Sequence, residues 1–565
     1  MDRGIRPHRD REPPGRSAPH SRHAGDPHRL SARPAGGGVL HLVRARRDLR
    51  GITAHRRAPP SQPRADRRGS VSATTALSLG IDLGTTSTKA LLLDAEGAVV
   101  AVASAHHGID PASDGVQVDP AVWIASAREA VAELGASIDL GRVSAVGVSG
   151  NMSAVVLVDD ALDPVAPALL LADRRGADEL RALDDGIRER MLRQSGNRPS
   201  AVFSLSSLLW WQSRHPETLA KARAYLSAKD YLRATLTGQI ATDQTDAWNA
   251  LLLRADGEWD DELIAAVGLP RHLFPALLSS SSTAGTVHKG GAAAFGLSAG
   301  VPVATGAGDV AATLEGLGGI DGDEVAVALG TSAVMMAAID PAAESSSADG
   351  AFTQHPAVDG TRFALASLLT GGLALNWLRA TVGAAAIAEA PADPDPDDPL
   401  CFLPYLAGTG SPDFDERATG AVIGITPTTS SPRMVSAALE AIAFDLADLI
   451  ERLERDRTTP YRHITACGGG TNVAAWPQII ADVTGLPVRV VAQADLAAVG
   501  AAQLGWAAVG HRVRSPRAEH PVLPRPAFAA AWRRRHDRFR TVRRSLLELE
   551  RQPHTPHPPS QKAAS

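Results

Sequence analysis

The feature that most constrains the fold of this chain is a repeated strand–turn–strand unit. Residues 81–94, IDLGTTSTKALLLD, match residues 327–340, VALGTSAVMMAAID: both have Leu-Gly-Thr, a hydroxyl residue, an apolar strand and a final aspartate. Gly-Thr turns between strands are common, but such a repeat predicts two related α/β halves with a ligand cleft between them. Asp82 in the first copy is replaced by Ala328 in the second. We therefore expect a shared scaffold in which the first half alone carries this acidic group.

The remaining sequence alternates between strand and helix patterns, as two such halves require. A chain of 565 residues exceeds one compact core, so two domains are expected. Residues 142–150 predict a buried strand, and a helix is predicted to begin after Asp119, which is followed by proline. A further helix is predicted to stop before Pro216, and the second half to begin near Val325.

Composition excludes several classes of protein. Cys401 and Cys467 are the only cysteines, which argues against a disulfide framework or a cysteine metal site and favours a cytoplasmic protein. The net charge is −5 although residues 1–72 hold 17 arginines and 6 acidic residues. The rest of the chain is therefore acidic, and nucleic acid is not an expected partner. No run of 18 apolar residues indicates a membrane span, so no membrane partner is expected.

The two ends of the chain have the composition of disordered segments. Residues 1–72 are rich in Arg, Pro, His and Gly and have no sustained apolar period, so they cannot bury enough surface to fold. We interpret them as a disordered extension, with translation from a mis-assigned start as the favoured explanation. A native disordered tail and a nucleic-acid-binding arm are the alternatives. We also expect residues 549–565 to form a disordered tail.

The turn of the first repeat has the composition of a phosphate-binding site. Gly84, Thr85 and Thr86 bring backbone amides and hydroxyls to one point, where glycine permits close approach and successive N–H groups can bind an anion. Asp82, just before them, suits Mg²⁺ held through water. A polar hairpin with a capping aspartate is the alternative. Residues 330–332 form a second turn of this kind, so the two turns could hold the β- and γ-phosphates of ATP from opposite sides.

Other nucleotide-binding motifs are absent or incomplete. The sequence contains no G-x-x-x-x-G-K-[ST] motif, which excludes a P-loop enzyme. The segment GGGTNVA at 468–474 resembles a dinucleotide fingerprint, but it lies late in the chain and lacks a following strand with a ribose-binding acid. We expect it to form a surface for the base or ribose of a nucleotide.

Seven motifs, taken in order, resemble those of the FGGY family of carbohydrate kinases, nearest to its xylulokinase-like members. They are GIDLGTTSTKALLLD, VGVSGNMSAVVLVDD, SAKDYLRATLTGQIATDQTDA, GAGDVAATLEGLG, ALGTSAV, LPYLAGTGSPDFDERATGAVIGI and CGGGTNVAAWPQIIADVTGLPV. The resemblance implies an α/β fold of two ribonuclease H-like domains, the actin/hexokinase-like ATPase fold, with a cleft between them. It implies domains at 77–321 and 322–548, and transfer of the γ-phosphate of ATP to a small sugar with the help of Mg²⁺.

The resemblance also implies roles for individual residues. Asp246 corresponds to the catalytic aspartate that takes the proton from the sugar hydroxyl, although its local sequence would also fit a helix N-cap. The residues implied to bind the sugar are Asp82, Asn151, Met152, Ser153, Asp246, Trp248 and Asn249. The residues implied to bind ATP are Gly84, Thr85, Thr86, Gly330, Thr331, Ser332, Gly469, Gly470 and Asn472. Asp82 and Asp309 are implied to lie near Mg²⁺, largely through water and phosphate, but Asp309 fits a helix N-cap equally well.

The sugar-binding motifs depart from the family's pattern. Where xylulokinase-like members usually have Gly-Gln-Met-His-Gly, residues 150–154 read Gly-Asn-Met-Ser-Ala, so Ser153 replaces a histidine. Trp248 stands where small residues are usual, and it could stack on a sugar, narrow the pocket or pack in the core. We therefore expect a kinase whose acceptor is a ketopentose such as D-xylulose, with gluconate, ribulose or a polyol as alternatives.

Two other functions remain open on the same scaffold. A non-catalytic sensor of sugar or nucleotide would not need a base, so retention of Asp82 and Asp246 argues against it. A chaperone-like ATPase is disfavoured by the order of the sugar-kinase motifs. The expected partners are small molecules, and a homodimer is a possible assembly.

Overall fold

The computed structural model describes residues 76–108, 116–339, 350–415, 417–455, 457–513 and 521–551. The predicted extension at 1–72 and most of the predicted tail at 549–565 lie outside these ranges. The terminal helix continues to Arg551, three residues beyond the predicted boundary at 548. Within the described ranges, no helix has the length and apolar character that crossing a membrane requires.

The first half is built around a twisted mixed sheet in the order β11-β12-β5-β1-β2-β3, with β13 also paired to β5. The strands are β1 Leu77–Leu83, β2 Ser87–Asp94, β3 Val99–His106, β4 Gln117–Val118, β5 Val143–Gly150, β6 Val156–Val158, β7 Ala168–Leu169, β8 Ala224–Leu226, β9 Thr242–Asp243, β10 Leu277–Leu278, β11 Thr283–Thr286, β12 Pro302–Ala304 and β13 Ala307–Gly308. The helices are α1 Pro120–Gly135, α2 Ala177–Arg181, α3 Asp185–Ser195, α4 Ser204–Arg214, α5 Pro216–Leu219, α6 Ala228–Thr237, α7 Gln244–Ala247, α8 Asp261–Ala266, α9 Lys289–Phe295 and α10 Asp309–Leu317.

The second half contains a sheet in the order β16-β17-β15-β14-β20-β21. The strands of this half are β14 Glu324–Leu329, β15 Ala333–Ala338, β16 Thr353–Pro356, β17 Arg362–Leu368, β18 Cys401–Leu403, β19 Ala421–Ile423, β20 His463–Cys467 and β21 Val488–Val490. Its helices are α11 Gly372–Val382, α12 Ala384–Ala388, α13 Ser431–Glu454, α14 Ala475–Thr484, α15 Leu496–Ala508 and α16 Ala529–Arg551.

The internal repeat corresponds to equivalent positions in the two sheets. β1 and β2 form an antiparallel hairpin, and β1 pairs in parallel with β5; β14 and β15 form the matching hairpin, and β14 pairs in parallel with β20. The predicted helix starts also match, since Asp119 caps α1 by accepting a bond from the Ala121 amide. The two-half α/β fold is confirmed, because the same local pattern forms the same hairpin twice.

Helix α15 lies in the second half of the sequence but packs against the sheet of the first half. It follows β21 of the second sheet, yet it packs on β1 and β5 of the first sheet. A Cβ on Gly80 would lie 2.1 Å from the Ala498 carbonyl oxygen, and one on Gly147 would lie 1.7 Å from that of Ala501. Only glycine permits this approach. The segment predicted as a C-terminal domain, 322–548, therefore contributes a helix to the core of the first half, and the halves belong to one compact unit.

Candidate functional site

A cavity of about 340 Å³ lies between the two halves. Six residues predicted to bind substrate, ATP or metal line it from the first half: Thr85, Asn151, Met152, Ser153, Asn249 and Asp309. Side chains of the second half close the other side, among them Val334, Thr353, His355, Leu365, Ser367, Ser411 and Phe414. The cleft expected between two related halves is thus present, and residues far apart in sequence meet in it.

The segment after β5 is fixed against the first hairpin. The Asn151 amide N–H donates to the Leu83 carbonyl at 2.8 Å, and Asn151 Nδ2 donates to the same oxygen at 3.1 Å. Ser153 follows in a left-handed conformation, with φ of 63°, and is buried. These contacts fix the backbone of residues 151–153 at the cavity. The presence of Ser153 in place of the family's usual histidine therefore changes the side chain that faces the cavity but not the path of the backbone.

Asp246 lies on α7 and does not itself line the cavity, but Asn249, whose Nδ2 donates to the Asp246 backbone carbonyl at 3.3 Å, does line it. Asp246 Oδ2 accepts a hydrogen bond from Ser227 Oγ at 2.7 Å and lies 3.2 Å from Lys229 Nζ. Its Oδ1 is buried and has no hydrogen-bond partner within the described part of the chain. A Cβ on Gly308 would lie 3.2 Å from this oxygen. Gly308, which directly precedes the cavity-lining Asp309, therefore leaves room beside this unpartnered oxygen, as a proton acceptor requires.

Sequence reasoning missed the buried charged cluster that holds Asp246. Lys229 Nζ lies 2.7 Å from Asp230 Oδ1 and 2.9 Å from Asp243 Oδ1, and Arg233 NH1 lies 2.6 Å from the same Asp230 oxygen. These four side chains have no solvent exposure. The sequence feature that could have revealed the cluster is the grouping of Lys229, Asp230 and Arg233 within α6, a helix that is buried along most of its length.

The charge balance of this cluster explains the proton affinity of Asp246. Lys229 and Arg233 already offset Asp230 and Asp243, so the Asp246 carboxylate is an additional negative charge. Burial raises the pKa of Asp246 to about 6, with Asp230 and Asp243 adding to the increase and Lys229 opposing it. Such an acid is ionised near neutral pH yet retains useful basicity.

Two further carboxylates face the same region. Burial, together with the charges of Asp82 and Asp246, raises the pKa of Asp309 to about 7. Burial also raises the pKa of Asp82, and Lys89, which pairs with Asp495 at 2.6 Å, opposes that increase. Asp82 Oδ1 is buried and lacks a hydrogen-bond partner among the residues that the structure describes. The three carboxylates create an excess of negative charge that a divalent cation would offset.

The donor set fits Mg²⁺ more closely than a tightly coordinated metal. Among the described residues, no group of three or more His, Cys, Asp or Glu side chains is placed to hold a metal ion. Asp82 and Asp309 supply oxygen donors, one of them an unpartnered buried oxygen. Mg²⁺ prefers oxygen ligands and usually keeps several waters, so two carboxylates and a phosphate are a sufficient donor set.

The second predicted phosphate turn is tied to the start of α11. The Gly330 carbonyl accepts from the Gly372 amide at 2.7 Å, and the Thr331 carbonyl accepts from Gly371 and Leu373 at 3.0 and 2.9 Å. Gly330 and Thr331 are exposed, as are Thr85 and Thr86 in the first turn, whereas Gly84 and Ser332 are partly buried. Both turns are therefore accessible to a ligand.

The predicted adenosine motif contains two glycines in different environments. Gly469 is exposed, and a Cβ there would meet no atom within 4 Å. A Cβ on Gly470 would lie 2.5 Å from the Trp476 ring and 2.7 Å from Leu329 Cβ. Gly470 therefore allows a close approach within the protein, while Gly469 and the exposed Asn472 remain open to a ligand.

The structure shows Trp248 in the packing arrangement that the sequence had left open. It was expected among the sugar-binding residues, but it does not line the cavity and is only 4% exposed. Its Nε1 donates to the Gln354 carbonyl at 2.8 Å, and the Arg362 guanidinium lies 4.7 Å from its ring centroid. Both partners belong to the second half. Trp248 therefore packs at the contact between the halves, since its large ring and N–H match a partner that is distant in sequence.

Comparisons with known proteins match this architecture. Residues 77–316 match the family model for the N-terminal domain of the FGGY family of carbohydrate kinases, and residues 325–509 match the model for its C-terminal domain. The chain belongs to the FGGY family of carbohydrate kinases and is an ATP-dependent sugar kinase. Kinases of this family use ATP, generally with Mg²⁺.

Individual relatives are similar over most of their length. The chain is 32% identical to the xylulose kinase of Klebsiella pneumoniae over 446 residues, which is 78% of this chain and 91% of the relative. It is 30% identical to the xylulose kinase of Escherichia coli K12 over 486 residues, 83% of this chain and 99% of the relative. The crystal structure of a "xyloylose kinase" from Brucella ovis superimposes with a TM-score of 0.75 at 29% identity, covering 84% of this chain and all of that one.

Proposed function

We propose that this kinase transfers the γ-phosphoryl group of ATP to a hydroxyl of a small ketose, with a ketopentose such as D-xylulose as the first candidate. The observation that carries the proposal is the buried Asp246 carboxylate, one oxygen of which has no hydrogen-bond partner among the described residues. The Asp246 backbone carbonyl accepts a hydrogen bond from Asn249, which lines the cavity between the halves. The names of the similar xylulose kinases support a pentulose acceptor.

In the proposed reaction, Asp246 orients the acceptor hydroxyl and takes its proton as the hydroxyl oxygen bonds to the γ-phosphorus. The bond between that phosphorus and the β,γ-bridging oxygen breaks, and ADP leaves with the electron pair. Phosphoryl transfer depends mainly on positioning and on charge stabilisation, so a single well-placed base is sufficient. Ser227 and Lys229 hold Oδ2 and leave Oδ1 for the proton.

The same geometry assigns the other groups their proposed roles. Thr85 and Thr86 in the first turn, and the turn at residues 330–332, would bind the phosphates, while Gly469 and Asn472 would contact the adenosine. Asp82 and Asp309 would hold Mg²⁺ through water and phosphate. When bound, Mg²⁺ supplies positive charge that stabilises the transferring phosphoryl group. Enclosure between the halves would exclude water, which would otherwise accept the phosphoryl group.

The acceptor is less closely defined than the reaction. Ser153 is too short to replace a histidine side chain, and much of the cavity wall is apolar: Met152, Leu170, Leu171, Val202, Phe203 and Val310. Specificity built on buried hydrogen bonds is sensitive to such changes. Ribulose, gluconate and polyols therefore remain alternative acceptors, and a non-catalytic sensor remains the alternative function.

A coupled assay of ADP release, run over pentuloses, aldonates and polyols, tests the proposal. We expect acceptor-dependent ADP release, highest with a ketopentose. Strong turnover with only gluconate or only a polyol would show that the proposed acceptor is wrong, while the proposed kinase activity would stand. Binding of sugar or nucleotide without acceptor-dependent ADP release would support the sensor.

We expect the pH dependence of kcat/KM to report the ionisation of the proposed base. The folded protein raises the pKa of Asp246 from its ordinary 3.8 to about 6, so activity should fall as the pH drops through about 6 and level off above it. Activity that stays constant down to pH 5 in the wild type would contradict the assignment.

Two alanine substitutions should separate a ligand-facing glycine from a packing glycine. Gly469→Ala adds a methyl group to open space, so we expect unchanged thermal stability and a KM for ATP raised about 10-fold by the clash with nucleotide. Gly470→Ala forces a methyl group against Trp476 and should destabilise the fold by about 1–3 kcal/mol. Thermal unfolding and ATP titrations of both variants would measure this. Equal effects of the two substitutions on stability would contradict it.

A further inference from the structure

Among the described residues, the second half contributes two buried polar side chains to the cavity, His355 and Ser411, and the proposed mechanism uses neither. His355, on β16, lines the cavity and is only 4% exposed. Its Nε2 lies 2.9 Å from Thr353 Oγ1. Its Nδ1 is buried and has no hydrogen-bond partner in the part of the chain that is described. Leaving a buried polar atom unpaired is costly, so such an atom beside a ligand cavity points to a ligand contact.

The imidazole is held rigidly. Its ring stacks near Phe203 of the first half, with centroids 6.4 Å apart and planes 30° apart, and lies 5.9 Å from Phe363 at 34°. These contacts together with the Thr353 bond fix the ring. A side chain with its orientation fixed before binding loses little entropy when it contacts a ligand.

The strand that carries His355 is docked on the first half through the preceding residue. Gln354 N–H donates to Asn197 Oδ1 at 2.7 Å, and Asn197 Nδ2 donates to the Gln354 carbonyl at 2.8 Å. The same carbonyl accepts from Trp248 Nε1 at 2.8 Å. Trp248 directly precedes Asn249, so this contact links the chain segments of Asn249 and His355, which line the same cavity.

Because its environment disfavours the imidazolium, the ring is a neutral hydrogen-bonding group. Burial and then the charge of Arg362 lower the pKa of His355 to about 3. A neutral imidazole can donate or accept at Nδ1, depending on the tautomer, and therefore suits a hydroxyl, which can do both. Without a positive charge, it stabilises an anion less than an imidazolium would.

We propose that His355 Nδ1 hydrogen-bonds a hydroxyl of the acceptor, which makes His355 a specificity-determining residue supplied by the second half. This inference rests on the proposed function and deepens it. Ser153 presents a short side chain on the first half, and His355 offers an imidazole from the opposite wall. The acceptor then makes all of its hydrogen bonds only when both halves enclose it. Acceptor recognition therefore depends on the contact between the halves that Asn197 and Trp248 make with Gln354.

Three substitutions separate the Nδ1 contact from packing. His355→Phe keeps a ring between Phe203 and Phe363 but removes both nitrogens. His355→Asn retains a polar atom at the position of Nδ1, and His355→Gln retains one near the position of Nε2. We expect His355→Phe and His355→Gln to raise the KM of the best acceptor about 10-fold or more, with His355→Asn closer to the wild type. The KM for ATP should stay within about 2-fold in all three.

His272→Phe, a substitution at an exposed histidine outside the cavity, is the matched control and should leave both KM values unchanged. Calorimetric titration of D-xylulose, in the presence of ADP, into the wild type and each variant measures the same contact without turnover. An acceptor affinity of His355→Phe within 2-fold of the wild type would overturn the inference, as would equal losses in all three variants. Absence of acceptor turnover in the wild type would count against the proposed function instead. The ratio of the acceptor affinities of wild type and His355→Phe, measured by calorimetry, would still decide the role of His355.

Discussion

The Asp246→Asn variant is expected to lower kcat by about 10³-fold while the affinity for ATP stays within a few-fold of the wild type. A positioned general base contributes about 10²–10⁴-fold, and asparagine keeps the shape of aspartate but cannot take the proton. Ser227 Oγ can still donate to the amide oxygen, so the side chain should keep its position. Initial rates at saturating acceptor, together with nucleotide titration, measure both quantities.

The stability of this variant provides an internal check. Because the folded protein raises the pKa of Asp246, its protonated form is favoured on folding. The resulting stabilisation is complete below pH 3.8 and is lost as the pH rises through about 6. At pH 8 the charge of Asp246 therefore destabilises the wild type, and Asp246→Asn should unfold at the same temperature or higher. Asp256→Asn, at an exposed acid of the same half, is the control with wild-type kcat. Wild-type turnover of Asp246→Asn would exclude it as the base.

The Lys229→Met variant is expected to lose about 3–5 kcal/mol of unfolding free energy. Lys229 is fully buried and contacts three aspartates, so its removal leaves their negative charges uncompensated. The remaining folded protein should also have a further raised pKa at Asp246, because Lys229 opposes that increase. The acid limb of kcat/KM should therefore move to higher pH. Urea unfolding and pH profiles test the two effects separately.

Lys221→Met is the matched control, since Lys221 is exposed on the same half and should give less than about 0.5 kcal/mol. A Lys229→Met protein as stable as this control would contradict the charge balance assigned to the cluster. A destabilised protein with an unshifted acid limb would show that Lys229 stabilises the fold without tuning Asp246.

The hairpins and their repeat were predictable because the pattern is local. Residues 81–94 and 327–340 encode strand, turn and strand within a single window, and the sheet pairs them as expected. Asn151, Ser153 and Asn249 were placed at the cavity by motifs whose order identified the family. For these residues the backbone at the motif sets the position, so the sequence carries the information.

Other features depend on contacts between distant segments and could not be predicted in this way. Trp248 follows the proposed base in sequence, yet its N–H bonds Gln354, more than 100 residues away. Helix α15 crosses to the first sheet because Gly80 and Gly147 open a path, which strand patterning alone does not reveal. His355 carried no recognised motif, and its unpartnered Nδ1 became visible only with the cavity in place.

The charged cluster around Lys229 illustrates the same limit. Its residues lie in a quoted motif, but charged residues on a helix are usually solvated. Burial of α6 against the sheet reverses that expectation and turns Lys229 and Arg233 into the partners that set the charge at Asp246. The reaction class could be predicted from the motifs, whereas the control of the base depends on packing.

The measurement that tests this account most directly is mass spectrometry of the acceptor after incubation with ATP and Mg²⁺, with wild type and Asp246→Asn compared in parallel. With the wild type, we expect a ketopentose to gain one phosphoryl group for each ADP released; with the variant, we expect product formation near background. ADP release without a phosphorylated acceptor, or equal product with the variant, would contradict it.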